Sequence, residues 1–202
     1  MNYPKELFKL IIDYVSEHFL IDIIRMGDID CDKDNYNKLS LVQLLINNHN
    51  LDIDVNIQDK DGYTALIWAV FKENLEICKL LLNNHKNIDV NIKSNKYGYT
   101  ALIWAIRKQI YEICKFLIDH KDIDVNIQSR DTGLMCPIRE DKLSLCKLLV
   151  DHKDIYVNIK DKCRYTALIY AVNKKNYEMI KLLINHKNID VNIQDEYGDT
   201  AL

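Results

Sequence analysis

Five histidines fall in one recurring slot of the chain: His49, His85, His120, His152 and His186. Imidazoles in register could ligate a metal or sense pH. Each of them follows an apolar helical string, so the elements that position them decide the question. Stacked helices lie about 8–10 Å apart. A shared zinc would need each nitrogen at about 2.0–2.1 Å, so neighbouring imidazoles cannot hold one ion. The slot suits helix closure instead, through bonds to the last carbonyls or the negative end of the dipole. The cysteines are Cys31, Cys78, Cys114, Cys136, Cys146 and Cys163, and none forms a Cys-x-x-Cys pair. Cys78, Cys114 and Cys146 share an apolar helix position that Ile180 fills later, where a free thiol behaves as a small hydrophobe. A catalytic thiol would need a base beside it in a cleft, and no such partner is implied. Cys163 falls on a turn tip. Phosphate loops, a Gly-x-Ser-x-Gly elbow, His-Glu-x-x-His and an EF-hand loop are all missing. The residues therefore predict no catalytic site, no metal and no cofactor; the protein is not expected to be an enzyme.

Composition narrows the function classes further. The 202 residues carry a net charge of −3, with Lys and Asp interleaved, so there is no overall basic field for nucleic acid. Only 5 Gly and 2 Pro occur, which argues against flexible linkers. The opening Met1-Asn2-Tyr3-Pro4-Lys5-Glu6 has no secretory pattern, and no run is long or apolar enough to span a bilayer. Free thiols without a secretion signal suit a reducing compartment. A cytoplasmic protein with no membrane partner is the expectation.

The elements repeat. Val-Asn-Ile recurs at Val55, Val90, Val125, Val157 and Val191, in steps of 35, 35, 32 and 34 residues. Thr-Ala-Leu recurs at Thr64, Thr100, Thr166 and Thr200, with Thr132-Gly133-Leu134 in the remaining slot. An apolar helix string such as Ile77-Cys78-Lys79-Leu80-Leu81 keeps the same order in four units. Within Asp59–Val90, Asp59-Lys60-Asp61-Gly62 reads as a turn and Thr64 as an N-cap. Ala65–Phe71 reads as a short helix that Asn74 breaks, and Leu75–Leu82 as a second helix with Glu76 and Lys79 on its outer face. One such pair cannot bury its apolar side alone, so the units must stack as a solenoid.

These units resemble ankyrin repeats. The family's Thr-Pro-Leu-His-x-Ala start is matched by Thr64-Ala65-Leu66-Ile67-Trp68-Ala69, and again from Thr100 and Thr166, with Ala and Ile replacing Pro and His. The Asp-x-x-Gly turn stands at Asp59–Gly62 and Asp195–Gly198; the second unit has one extra turn residue, and Arg164 takes the Gly position of the fourth. The resemblance spans roughly Leu39–Leu202. It implies an all-α ankyrin-repeat solenoid with short hairpin-like turns: an N-terminal helical cap over 1–38, a degenerate unit at 39–54, and full repeats at 55–89, 90–124, 125–156 and 157–190. A last repeat, 191–202, stops at Thr200-Ala201-Leu202, which predicts a fragment or a frayed end. Similar Asn- and Ile-rich arrays occur in protists and large DNA viruses, which would put the protein in host cytoplasm if it is viral.

Two regions are irregular. The third repeat starts Thr132-Gly133-Leu134-Met135-Cys136-Pro137, and Pro137 past a first helical turn predicts a short, displaced or broken helix. In the N-terminal region, apolar spacing predicts a helix within residues 3–15 and a second over 16–26, with Gly27 as its C-cap residue. Residues 3–15 also resemble the opening of an F-box, which would make the protein a substrate adaptor of a ubiquitin ligase.

The leading expectation is a monomeric, non-catalytic module that binds another protein and no nucleic acid. By position, the family resemblance places its concave face at Lys60, Asp61, Tyr63, Trp68, Phe71 and Lys72 in the first full repeat. Lys96, Tyr97, Tyr99, Trp104, Arg107 and Lys108 follow in the second, and Lys162, Tyr165, Tyr170, Asn173 and Lys174 in the fourth. Tyr, Trp and Arg are the side chains that most often anchor interfaces.

Overall fold

The computed structural model describes residues 18–26, 38–47, 53–84, 87–127 and 133–201. Among them are ten helices: α1 (Phe19–Arg25), α2 (Lys38–Asn47), α3 (Ala65–Phe71), α4 (Leu75–Asn84), α5 (Ala101–Arg107), α6 (Tyr111–Ile118), α7 (Met135–Arg139), α8 (Leu143–Val150), α9 (Ala167–Asn173) and α10 (Tyr177–Ile184). No strand occurs among the described residues. Each first helix packs on its own second helix and on the first helix of the next unit, α3 on α5, α5 on α7, α7 on α9, while α2, α4, α6, α8 and α10 line up behind. One continuous core runs through the stack. Ile77, Leu81, Ile113 and Leu117 are fully buried between layers, each worth about 1.5–3 kcal/mol of removal from water.

The local signals act as the repeat requires. Thr64, Thr100 and Thr166 cap the first helices: their hydroxyls accept the amide N–H of Ile67, Ile103 and Ile169 at 3.2, 3.3 and 3.3 Å. Asn74 does not break α3. Its side chain accepts the Ile77 amide at 3.0 Å and so opens α4, as Asn176 opens α10. The stop is Glu73, which adopts a left-handed backbone with φ 59°, as do Gln109, Asp141 and Lys175 at the same place. Behind each, paired bonds such as Glu73 N–H to Val70 O and Asn74 N–H to Ala69 O, both 2.9 Å, close the helix end. This is the closure usually built on glycine.

The recurrence of Val-Asn-Ile also has a physical cause. The side-chain amides of Asn56, Asn91, Asn126 and Asn158 each bridge to the main chain of the loop that leads into the next Val-Asn-Ile string. Asn56 donates to Asn87 O at 2.8 Å and accepts from Asp89 N at 2.8 Å. Asn91 makes the same pair with Asp122 O and Asp124 N, Asn126 with Asp154 O and Tyr156 N, and Asn158 with Asn188 O and Asp190 N. The histidines close the same loops. The Nδ1 atoms of His120, His152 and His186 accept the amides two residues on, at 3.3, 3.2 and 3.3 Å, where donation to helix carbonyls was expected. His49 and His85 lie outside the described residues.

The third repeat is short, as Pro137 predicts: α7 has five residues where the other first helices of the full repeats have seven. Its start has moved to Met135, which puts Pro137 at the third helical position. An amide there has no intrahelical partner, so the missing N–H costs no bond. Lys142 N–H still reaches Pro137 O at 2.8 Å and keeps the closure. Thr132 lies outside the described residues. At the other end, α1 buries Leu20, Ile21, Ile23 and Ile24 and packs on α2 and α3. It thus stands to α3 as α3 stands to α5, and Lys38, where the expected cap ends, is the first residue of α2. Residues 3–15 and Gly27 are outside the described residues.

Candidate functional site

The turn before each first helix sets the geometry of its exposed aromatic side chains. In the first full repeat the Asp59 carboxylate gathers the turn: Oδ1 accepts the amides of Asp61 and Tyr63 at 3.0 and 2.9 Å. Oδ2 accepts the Trp68 indole N–H at 2.8 Å. Asp161 does the same in the fourth repeat for Cys163, Tyr165 and the Tyr170 hydroxyl, at 2.9, 2.9 and 3.2 Å. In the second repeat this place belongs to Ser94, whose hydroxyl accepts the Tyr99 amide at 3.2 Å. The Trp104 indole nitrogen is consequently buried without a hydrogen-bond partner.

The extra residue of the second turn, Asn95, is laid against the preceding turn. Its amide bonds Asp61 O at 3.0 Å, and the backbone nitrogen would sit 2.4 Å from any Cβ added to Gly62, whose φ is +79°. Glycine there answers both a left-handed backbone and a close approach. The two turn tips are thereby locked together.

On that locked pair, six of the sequence-predicted residues form one aromatic network. Tyr63 meets Trp68 and Trp104 edge-on at 5.3 and 5.9 Å between centroids. Phe71 meets the same two indoles at 5.6 and 5.4 Å. Tyr97 stacks on Tyr99 at 5.4 Å, and both set an edge against Trp104. Three predicted cations lie over the rings, each 5.1 Å from a centroid: Lys96 over Tyr97, Arg107 over Tyr99 and Lys108 over Phe71. A hydrogen bond with Tyr97 and the charges of Tyr97, Tyr63 and Asp61 hold the Lys96 ammonium above its ordinary pKa, against a small opposing desolvation. Burial, with Tyr97 and the nearby carboxylates, raises that of Tyr63. Tyr99 is itself buried, 6% exposed, so it supports the surface from beneath, while Phe71 is 37% exposed. Lys60, Asp61 and Lys72 are exposed around the network.

The fourth-repeat residues stand apart. Tyr165 meets Tyr170 edge-on at 5.3 Å, and burial and the Asp161 carboxylate raise the Tyr170 pKa. Lys174 is drawn to the third repeat, where it bonds Arg139 O and lies 3.5 Å from Asp141. Lys162 and Asn173 are exposed. No described ring contact joins this group to Trp104, because the third repeat puts a buried cysteine, Cys136, in the slot held by Trp68, Trp104 and Tyr170. Position-by-position reading missed the side chains that bridge repeats: Glu73 to Lys108 at 2.6 Å, Gln109 to Glu140 at 3.0 Å, and Asp141 to Asn176 at 3.1 Å. The available signal was their shared place just after each first helix.

Elsewhere the chemistry is muted. Burial pushes the thiols of Cys78, Cys114 and Cys146 up to about 12, and Cys163 is exposed. A groove of about 370 Å³ between the second and third repeats is lined in part by His120 and His152. Each of those rings already has Nδ1 engaged by a backbone amide. No group of three His, Cys, Asp or Glu suited to a metal ion occurs among the described residues. No described helix is long and apolar enough to cross a membrane.

Known proteins place this architecture. Ankyrin repeat family models match residues 31–129 (three copies) and 149–202 (many copies), leaving most of the irregular third repeat between them. No curated protein sequence matches the chain. The crystal structure of EF0377, an ankyrin repeat protein, is similar with a TM-score of 0.74 and 22% identity, over 93% of this chain and 89% of that one. The ankyrin repeat domain of Bcl-3, a member of the IkappaB protein family, gives 0.71 and 20% identity over 81% and 71%. A chain from the complex of the predatory endopeptidase Bd0816 of Bdellovibrio bacteriovorus with immunity protein Bd3460 gives 0.67 and 26% identity over 90% and 87%. Ankyrin repeats are in general modules of protein–protein interaction. With its capped helix pairs, its stacked core and these matches, the chain belongs to the ankyrin repeat family.

Proposed function

We propose that this protein is a non-catalytic binding module whose partner protein docks on the turn tips and first helices of the first two full repeats, the concave face of the family. The observation that carries this reading is the aromatic network of Tyr63, Trp68, Phe71, Tyr97 and Trp104 with its overlying cations. Interfaces concentrate their energy in such rigid aromatic and arginine anchors. The fourth-repeat group, Lys162, Tyr165, Tyr170, Asn173 and Lys174, extends the face as a separate contact. The similarity to a chain from a complex with an immunity protein is consistent with a protein partner.

The test is a comparison of captured partners. A Phe71→Ala/Arg107→Glu variant should lose the proteins bound by the intact chain while its circular dichroism stays unchanged. A Tyr156→Ala/Tyr177→Ala variant, altered at residues 70% and 72% exposed but outside the network, should keep them. Equal retention by both variants would sink the proposal. The ubiquitin-ligase adaptor reading rests on residues 3–15 alone, outside the described structure. Deleting residues 1–17, which spares the buried α1, separates it: ligase scaffold proteins should vanish from the captured set only if that segment docks them.

A further inference from the structure

The rings of the patch are not bare. Each of the cations Lys96, Arg107 and Lys108 sits over one ring, and the other contacts of Trp104 are edge-on, with interplanar angles of 82–86°. Tyr97 and Tyr99 spend a face on each other. A nucleobase needs an open ring face to stack on, and three of the six rings, Tyr97, Tyr99 and Phe71, carry a cation over one face instead. What it presents outward is positive charge on an apolar floor, with Phe71 exposed at the rim.

The local charge also runs against that of the whole chain. Lys60, Lys72, Lys96, Arg107 and Lys108 gather on a molecule whose net charge is −3. The three acids beside them, Asp59, Asp61 and Glu73, stand against five cations, which leaves a surplus of positive charge on the strip. Cations laid on rings have already lost much of their rotamer freedom, so a carboxylate that binds them costs less ordering. Ring contacts run unbroken from Tyr97 through Trp104 and Phe71 to Trp68, which makes a strip across two repeats.

We infer that the partner presents an acidic, extended segment to this strip, with carboxylates against Lys96, Arg107 and Lys108 and an apolar side chain against Phe71 and Trp68. The inference rests on the binding face proposed above and names the chemistry of what that face takes. Both tryptophans of the chain lie in the strip, so tryptophan emission, excited apart from that of the tyrosines, reports on it alone.

The experiment is a selection of random twelve-residue peptides on the intact chain, followed by fluorescence titration of the recovered peptides. Recovered sequences should be rich in Asp and Glu with an aromatic or aliphatic residue among them. Their affinity should fall roughly tenfold as salt rises from about 50 to about 300 mM, and by at least as much in a Lys96→Glu/Arg107→Glu variant of unchanged circular dichroism. Recovery of neutral or basic peptides, or of none, would overturn the inference, as would acidic peptides that bind the variant equally well. Tighter binding of a twelve-nucleotide oligothymidine would overturn it in favour of nucleic acid. If natural partners still depend on Phe71 and Arg107 while the recovered peptides are not acidic, the face binds protein and only the acidic segment is wrong.

Discussion

At the scale of single residues, one substitution between repeats explains the buried, unpartnered indole. Trp68 and Trp104 occupy equivalent positions, but Asp59 gives the first a charged acceptor and Ser94 leaves the second without one. Replacing Ser94 by Asp should restore that bond and raise stability by about 1 kcal/mol in urea unfolding. The gain should disappear in a Trp104→Phe background, which has no N–H to satisfy. By the same logic, Trp68→Phe should cost more than Trp104→Phe. The buried thiols make a pH-dependent contribution. Cys78, Cys114 and Cys146 are raised from an ordinary value of 9 to about 12, so the folded state keeps protons that the unfolded chain releases. Their effect is absent below pH 9 and becomes destabilising as the pH rises from 9 towards 12. Melting temperature measured across that range should fall, and less steeply once all three are changed to alanine.

At the scale of elements, the helix ends carry a left-handed backbone that glycine would adopt without strain. Glu73, Gln109 and Asp141 turn left-handed at the ends of their helices, yet each also reaches a side chain in the next repeat. Lys175 occupies the same left-handed position, φ 55°, and its side chain is exposed. Lys175→Gly should therefore relieve backbone strain without breaking a bridge, raising stability by about 1 kcal/mol. Gln109→Gly, which gives up its bond to Glu140, should gain less. Thermal unfolding of the two variants side by side decides this, and equal gains would show that the bridge contributes nothing. The helices and their caps were legible from apolar spacing and from Thr64, Thr100 and Thr166. The stop was not, because Glu73, Gln109 and Lys175 are not of types that signal a left-handed backbone, and Asp141 alone is of a type that visits it. Only the closure bonds behind it impose one.

At the scale of the whole molecule, the stack is a chain of neighbours coupled by a shared core and by the asparagine rungs. In such an array each unit is supported only by those beside it, so the weakest unit divides the rest. The third repeat has the shortest first helix, no side-chain cap at Leu134, and a gap in the family match across residues 130–148. The Asn126 rung ties the loop that opens this repeat to the loop that leads into the fourth, through Asp154 and Tyr156. Asn126→Ala should cost about 1–2 kcal/mol and lower hydrogen-exchange protection in α9 and α10 well before α3 and α4. Asn56→Ala, whose rung to Asn87 and Asp89 lies in the first full repeat, should lower protection more evenly. An even loss in both variants would show that the third repeat is as firmly coupled as the others.

The sequence by itself determined the repeat, the order of its helices and the identity of the core, because a recurring apolar pattern admits one way of burial: stacking on copies of itself. It also located the irregular unit, since proline cannot occupy a helix interior without losing a bond. The tertiary structure decided what depends on contacts between residues some 35 apart in the chain. It moved the start of α7 so that Pro137 costs no bond, and it stacked Asn95 on Gly62. It left Trp104 unpartnered and joined the aromatic side chains of two turns into one surface while Cys136 kept the fourth repeat's tyrosines outside it. Those outcomes turn on the distance between side chains in adjacent layers, which spacing along one chain does not specify.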